Sequence, residues 1–310
     1  MIAARSIRPM RDWGAWLLCV TLLAGCAAGP SPSGCSLPEV EAAARIPFGQ
    51  GVLWRIEPPD APPSYLLGTL HSRDPEIVRL PEPVAARLDQ AQSLSVEVLQ
   101  TPRAMQVYRR MIELEDGDLE DLIGPARMAA VERAGARYGV SEPRLRELKP
   151  WVLSVLFSVP PADMTEGRPM LDRVLEERAA ERGIPVYGLE RIEEQIGAYD
   201  RLDLEQQIAL LDAALAQNPQ IECWWEQVIK PAYLGRDAGT LYALMPKTID
   251  GDATLWRALI VERNARMVER MRPRLREGNA FIAVGAAHLP GEDGILSLLS
   301  RQGYDVVPIY

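Results

Sequence analysis

The chain has 310 residues, with 43 acidic against 34 basic side chains and a net charge of −9. That balance argues against a phosphate-backbone partner, and no basic aromatic stretch offsets it, so nucleic acid is not expected to bind. Four cysteines without CxxC spacing and only two histidines leave little material for a structural zinc site.

The first residues read as an export signal. Arg5, Arg8 and Arg11 precede the apolar WGAWLLCVTLLAG, which falls short of the roughly 20 apolar residues a span requires. LAGC at 23–26 resembles the bacterial lipobox, which makes 1–25 a lipoprotein signal peptide and ties the chain to a membrane through a lipidated Cys26. An ordinary cleaved signal or an uncleaved anchor would also carry the chain across the membrane. Ala27 after the cysteine, by the same resemblance, directs the chain to the outer membrane, so the expected location is the cell envelope at its periplasmic face. Residues 26–45, rich in Gly, Pro and Ser, read as a flexible tether, and 46–310 as one domain without a linker-like break. Cys35 and Cys223 are then the cysteines left over, and in an oxidising periplasm they could form a disulfide tying tether to body.

GVLWRIE and SYLLGTLH, separated by PPDAPP, read as two strands joined by a turn. PEPVAARLDQA is a helix with Pro near its start, and SLSVEVL is a strand that should lie beside the strand leading to His71. A largely helical stretch follows, in which MLDRVLEERAAERGIPVYGLE reads as a helix, a Gly stop and a buried strand. At the far end FIAVGAAH is a strand, GEDGILSLLSRQG a helix closed by Gly303, and YDVVPIY another strand. The order strand, GxxH, helix, strand therefore occurs twice. The expected fold is α/β: duplicated units forming a mixed central sheet flanked by helices, with a helical insertion.

Both histidines follow a strand and sit three residues after a glycine, His71 in YLLGTLH and His288 in FIAVGAAH. One such histidine could merely cap a turn; two in a repeat point to a common site, because ligands gather where parallel strands end. Imidazole is the commonest protein metal ligand and a general base near neutral pH. A hydrolytic metal site also needs a carboxylate, and Glu97, an acid inside the apolar SLSVEVL, is the leading candidate, unless it merely lies on a solvated strand face. Glu190, at the end of IPVYGLE, is the second acid, as a ligand or as an anchor behind one. In ATLWRALIVERNARMVERMRPRL the apolar stripe Trp256, Leu259, Ile260, Met267, Val268, Met271 is interrupted by Arg263 and Asn264, which suit an oxyanion and a metal or water respectively. The apolar PWVLSVLFSVPP and CWWEQ read as core, or as the lining of a groove. HExxH, GxSxG, P-loop and GxGxxG motifs are absent.

YLLGTLHS, SVEV, LKPW, GLERIEEQ, ERN and FIAVGAAHLPGEDGILSLLSRQGYDVV together resemble the TraB/GumN proteins, relatives of the Tiki metalloproteases and of the erythromycin esterase and ChaN-like fold. The resemblance runs in order through residues 50–310 and implies a duplicated α/β core with both GxxH motifs at one active site. It implies His71, His288 and Glu97 as metal-binding or catalytic residues, Arg263 and Asn264 as the family's RN pair, and Glu190 as a recurrent acid. The function it implies is a metal-dependent hydrolase, foremost a peptidase, with Mn, Co or Zn as the divalent ion and a peptide or small molecule as substrate. The alternative is a non-catalytic lipoprotein that binds a peptide or a haem or iron ligand. The sequence leaves the oligomeric state open.

Overall fold

The computed structural model describes residues 35–37, 45–162, 167–249 and 252–310. The export signal, Cys26 and most of the tether lie outside the described residues. Six strands, β1 (Leu53–Glu57), β2 (Ser64–Thr69), β3 (Ser93–Val98), β4 (Val186–Glu190), β5 (Ala280–Gly285) and β6 (Asp305–Pro308), form one sheet in the order β4-β3-β5-β2-β1-β6. β4, β3, β5 and β2 are mutually parallel, while β1 runs antiparallel to both of its neighbours. The expected mixed sheet flanked by helices is therefore observed.

Two expectations about the sheet are corrected. β3 does not lie beside β2, because β5 inserts between them, pairing with β2 from Tyr65↔Phe281 to Thr69↔Gly285 and with β3 from Ser93↔Ala280 to Val96↔Ala283. β5 is apolar and buried along its whole length, as a strand covered on both faces must be. β4 is a half-exposed edge strand rather than a buried one: Tyr187 is 40% exposed, and only Leu189 and Glu190 at its end are buried.

The two GxxH turns meet because their strands are neighbours. Gly68 aligns with Val284 and Thr69 with Gly285, so both histidines emerge at one sheet edge. A Cβ on Gly68 would lie 2.9 Å from Ala286 Cα and 2.8 Å from Leu289 Cδ1, so the glycine of the first motif makes room for the backbone of the second.

The helical stretch between β3 and β5, which β4 interrupts, encloses an apolar core of its own, with Leu153 and Phe157 from before β4 and Leu210, Leu211, Met245, Leu259 and Ile260 from after it. That core reaches the sheet at Val98 and Ala287, the sequence neighbours of Glu97 and His288. PWVLSVLF is entirely buried and Trp224 and Trp225 nearly so; these segments are core. Cys35 and Cys223 are joined with their Cα atoms 6.3 Å apart, and the Trp224 indole donates to Ser36 O at 2.7 Å, which docks residues 35–37 on the body. Among the described residues no helix is long and apolar enough to cross a membrane.

Gly68→Ala is expected to destabilise the fold by about 1–3 kcal/mol, since backbone rather than a flexible side chain must give way. Urea unfolding at constant m-value checks this; an unchanged midpoint would refute the packing role.

Candidate active site

Each of the four parallel strands delivers one functional side chain at its carboxyl end. β2 leads through Leu70 to His71, β3 carries Glu97, β4 ends on Glu190, and β5 leads through a 3-10 turn, Ala286–His288, to His288. The helix Glu262–Glu277 packs over β3, β4 and β5 and adds Arg263 and Asn264. It continues Ala253–Trp256 through a π-helical turn, Arg257–Val261. Such turns alter the face a helix presents. Leu259 and Ile260 pack into the core of the insertion, whereas Met267, Val268 and Met271 pack with the sheet. Arg263 and Asn264 sit at the seam between these two cores, which is why polar residues interrupt the stripe.

All of the predicted side chains except His71 are deeply buried, with Arg263 4% and Glu97 3% exposed. Glu97 therefore does not lie on a solvated strand face, and Arg263 does not reach to solvent. Arg263 Nη2 donates to Glu97 Oε2 at 2.6 Å, and its Nε donates to Glu190 Oε2 at 2.8 Å. Glu190 Oε1 accepts from Arg266 Nη1 at 2.7 Å. Glu97 Oε1 accepts the Gly285 backbone N–H at 2.6 Å, and Glu97 Oε2 also accepts Gln195 Nε2 at 2.9 Å. Burial pushes the Glu97 carboxyl up, but the charge of Arg263, helped by His288, His71 and the Gly285 N–H, outweighs it and holds the group at about 2.

Both imidazoles are oriented by oxygen at Nδ1. Asn264 Nδ2 donates to Asp293 O at 2.8 Å and more weakly to His288 O at 3.4 Å, so its Oδ1 faces His288 Nδ1, at 2.7 Å. His288 then carries its proton on Nδ1 and presents Nε2 as the acceptor, 3.3 Å from Arg263 Nη1. His71 Nδ1 bonds to Asp172, whose other oxygen accepts from Thr69 Oγ1 at 3.1 Å. Burial, followed by the adjacent Arg263 charge, pushes His288 down to about 3, so it is neutral near pH 7. His71 is close enough to act electrostatically on both Glu97 and His288.

The structure thus brings His71, Glu97, Glu190, Arg263, Asn264 and His288 to one edge of the sheet. Two imidazoles, each backed at Nδ1 by a side-chain oxygen, are donors of a type that suits a divalent cation. The structure does not assemble His71, His288 and Glu97 as a ligand shell: among the described residues no group of three His, Cys, Asp or Glu side chains is arranged to hold a metal. The physical reason is Arg263, whose guanidinium lies between Glu97 and His288. Sequence reasoning missed Asp172 and Gln195. Asp172 is an acid in the first turn of the helix Leu171–Glu181, and nothing in its local sequence separates it from an ordinary helix-start acid. Gln195 stands in GLERIEEQ, a matching block in which only Glu190 received a role.

The sequence model of the TraB/PrgY/gumN family matches residues 52–308. The zebrafish (Danio rerio) metalloprotease TIKI2 is 24% identical over 315 residues, covering 82% of this chain and 60% of that protein. The human (Homo sapiens) metalloprotease TIKI1 is 28% identical over 184 residues, covering 50% of this chain and 36% of that protein. The chain thus spans less than two thirds of these relatives.

His288, neutral when folded and protonated below its ordinary value of 6.5 when unfolded, makes the unfolded chain bind the extra proton. Stability should therefore fall as pH drops from about 6.5 toward 3, by up to about 1.4 kcal/mol per pH unit from this one group. Urea unfolding of chelator-treated protein between pH 7 and 4.5 checks it: wild type minus His288→Gln should show this slope, and parallel profiles would refute it.

Proposed function

The chain belongs to the TraB/PrgY/gumN family, and from that premise we propose that it is a metal-dependent peptidase held at the periplasmic face of the outer membrane. The observation that carries the reading is the pair of imidazoles from neighbouring parallel strands, each held at Nδ1 by an oxygen and close enough to act electrostatically on the buried Glu97, with His288 Nε2 beside the Arg263 guanidinium. The likeness to metalloproteases supports a divalent ion. His71 and His288 would hold that ion, which would supply Lewis acidity and a water of lowered pKa. Mn, Co and Zn all suit nitrogen and carboxylate surroundings without thiolate.

The chain's own residues divide the remaining work. Glu97, held near 2, is too weak a base to take a proton at neutral pH, so it acts as a fixed negative charge beside the imidazoles. Arg263 offsets that charge and offers a guanidinium to developing oxyanion charge on a cleaved amide. Glu190 takes the other side of Arg263 and keeps its plane fixed. Asn264 holds the His288 ring in the tautomer that leaves Nε2 as acceptor, and Asp172 orients the His71 ring through Nδ1. The resemblance of LAGC at 23–26 to a lipobox supports a membrane tether through Cys26, and the Cys35–Cys223 bond suits an oxidising compartment.

Elemental analysis of the full chain purified without a histidine tag is expected to find about one divalent ion per chain, lost in His71→Ala/His288→Ala. A peptide library with Mn, Co or Zn added should then show cleavage that Arg263→Met reduces by about 10²–10³-fold in kcat. No ion in either protein after metal is added back, and no cleavage, would favour a non-catalytic lipoprotein binding a peptide or a haem or iron ligand, with Arg263 as the resident cation.

A further inference from the structure

Two sequence blocks meet behind Glu97: LKPW at 148–151, and the end of GLERIEEQ. Lys149 Nζ pairs with Asp200 Oδ1 at 2.6 Å, and the Trp151 ring stacks on Tyr199 with centroids 5.6 Å apart and planes 14° apart. Both contacts fall on the helix Ile192–Asp200, which follows β4 directly and carries Gln195 one turn before Tyr199. Trp151 is fully buried and Gln195 is 2% exposed.

The orientation of the Gln195 amide is set by what it faces. Nε2 donates to Glu97, a carboxylate that can only accept. Turning the amide over would set oxygen against oxygen, so Oε1 is directed away from Glu97. There it is a buried acceptor without a partner among the described residues, and the Trp151 indole Nε1 is a buried donor in the same condition. Leaving such groups unsatisfied is costly, and the two are complementary, since an indole only donates and an amide oxygen only accepts. Gln195 and Tyr199 are four residues apart and share a helix face, so the indole stacked on Tyr199 lies on the side of the helix that carries the amide.

We propose that Gln195 is a positioning residue for Glu97, and that the Trp151 indole N–H fixes its amide oxygen through a bridging water. Residues 149–151 clamp the helix, and the path Trp151 to Gln195 to Glu97 sets the rotamer of the acid that Arg263 and Gly285 hold from its other sides. The insertion thereby controls the placement of a charge on the sheet.

Indole ¹H–¹⁵N spectra of the full chain, with Trp151 identified through Trp151→Phe, test the relay. Gln195→Met keeps the length of the side chain and removes the amide; the Trp151 proton signal should move upfield and exchange faster with solvent. Ile196→Val trims the same core without touching the amide and should leave that signal in place. An unmoved signal in Gln195→Met, or equal movement in Ile196→Val, overturns the relay. Should Gln195→Met fail to fold, Glu97→Gln reads the relay from its far end: the signal moves if Gln195 couples the two residues, and stays if it does not. The consequence for turnover rests on the peptidase reading. There Gln195→Met should lower kcat roughly 10- to 100-fold at unchanged KM, and a changed KM with kcat kept would contradict a positioning role. A wild type that cleaves no peptide would remove the peptidase reading, while the indole spectra still decide the relay.

Discussion

Arg263 lies between Glu97 and Glu190, and burying charged groups in this way costs several kcal/mol each unless every hydrogen-bonding position is filled. The surroundings fill them. Gly285 N–H and Gln195 complete Glu97, and Arg266 completes Glu190 from the more exposed side. Two acids thus meet two guanidiniums. Glu97, Glu190 and the Gly285 N–H come from β3, β4 and β5 and both guanidiniums from one helix, so the cluster fixes the ends of those strands against the helix Glu262–Glu277. Removing one member would leave the others as uncompensated buried charges, which makes the cluster a strong constraint on the edge of the sheet that bears the histidines.

That constraint connects architecture to chemistry. With β5 threaded between β2 and β3, the GxxH motifs become neighbours while Glu97 stands on the strand beyond. Gly68 allows the second motif to pack on the first, and Gly285 spends its backbone N–H on Glu97. The helical insertion meets the same edge at Val98 and Ala287, so its packing bears directly on the residues that follow Glu97 and precede His288. Separate cores lie on either side of Arg263 and Asn264, and a polar site at the seam between them is the place where buried polar side chains can find partners.

Much of this is legible in the sequence. The six strands, the repeated strand-GxxH order and the convergence of His71 with His288 follow from alternation, glycine spacing and the tendency of ligands to gather at strand ends. Arg263 and Asn264 stood out because a polar pair inside an apolar helical stripe demands partners. The neighbour of β2 was not legible, since the order of strands along the chain does not encode their order in the sheet. Asp172 was hidden because its role depends on the helix Leu171–Glu181 docking beside Ser72, a tertiary contact without a local signature. The guanidinium between Glu97 and His288 likewise belongs to the folded arrangement, and it separates the ligand set expected from the residues from the one the geometry offers.

The two imidazoles carry the account, and because the chain holds only these two histidines, their ring nitrogens can be observed without ambiguity. Long-range ¹H–¹⁵N spectra of histidine-labelled protein at neutral pH are the most direct test. His288 should be protonated at Nδ1 with Nε2 as the bare nitrogen, and the Nε2 signals of both rings should move together on titration with Zn, saturating near about one equivalent. A proton on Nε2 of His288, or two Nε2 signals that ignore the added ion, would contradict a shared site for one divalent cation.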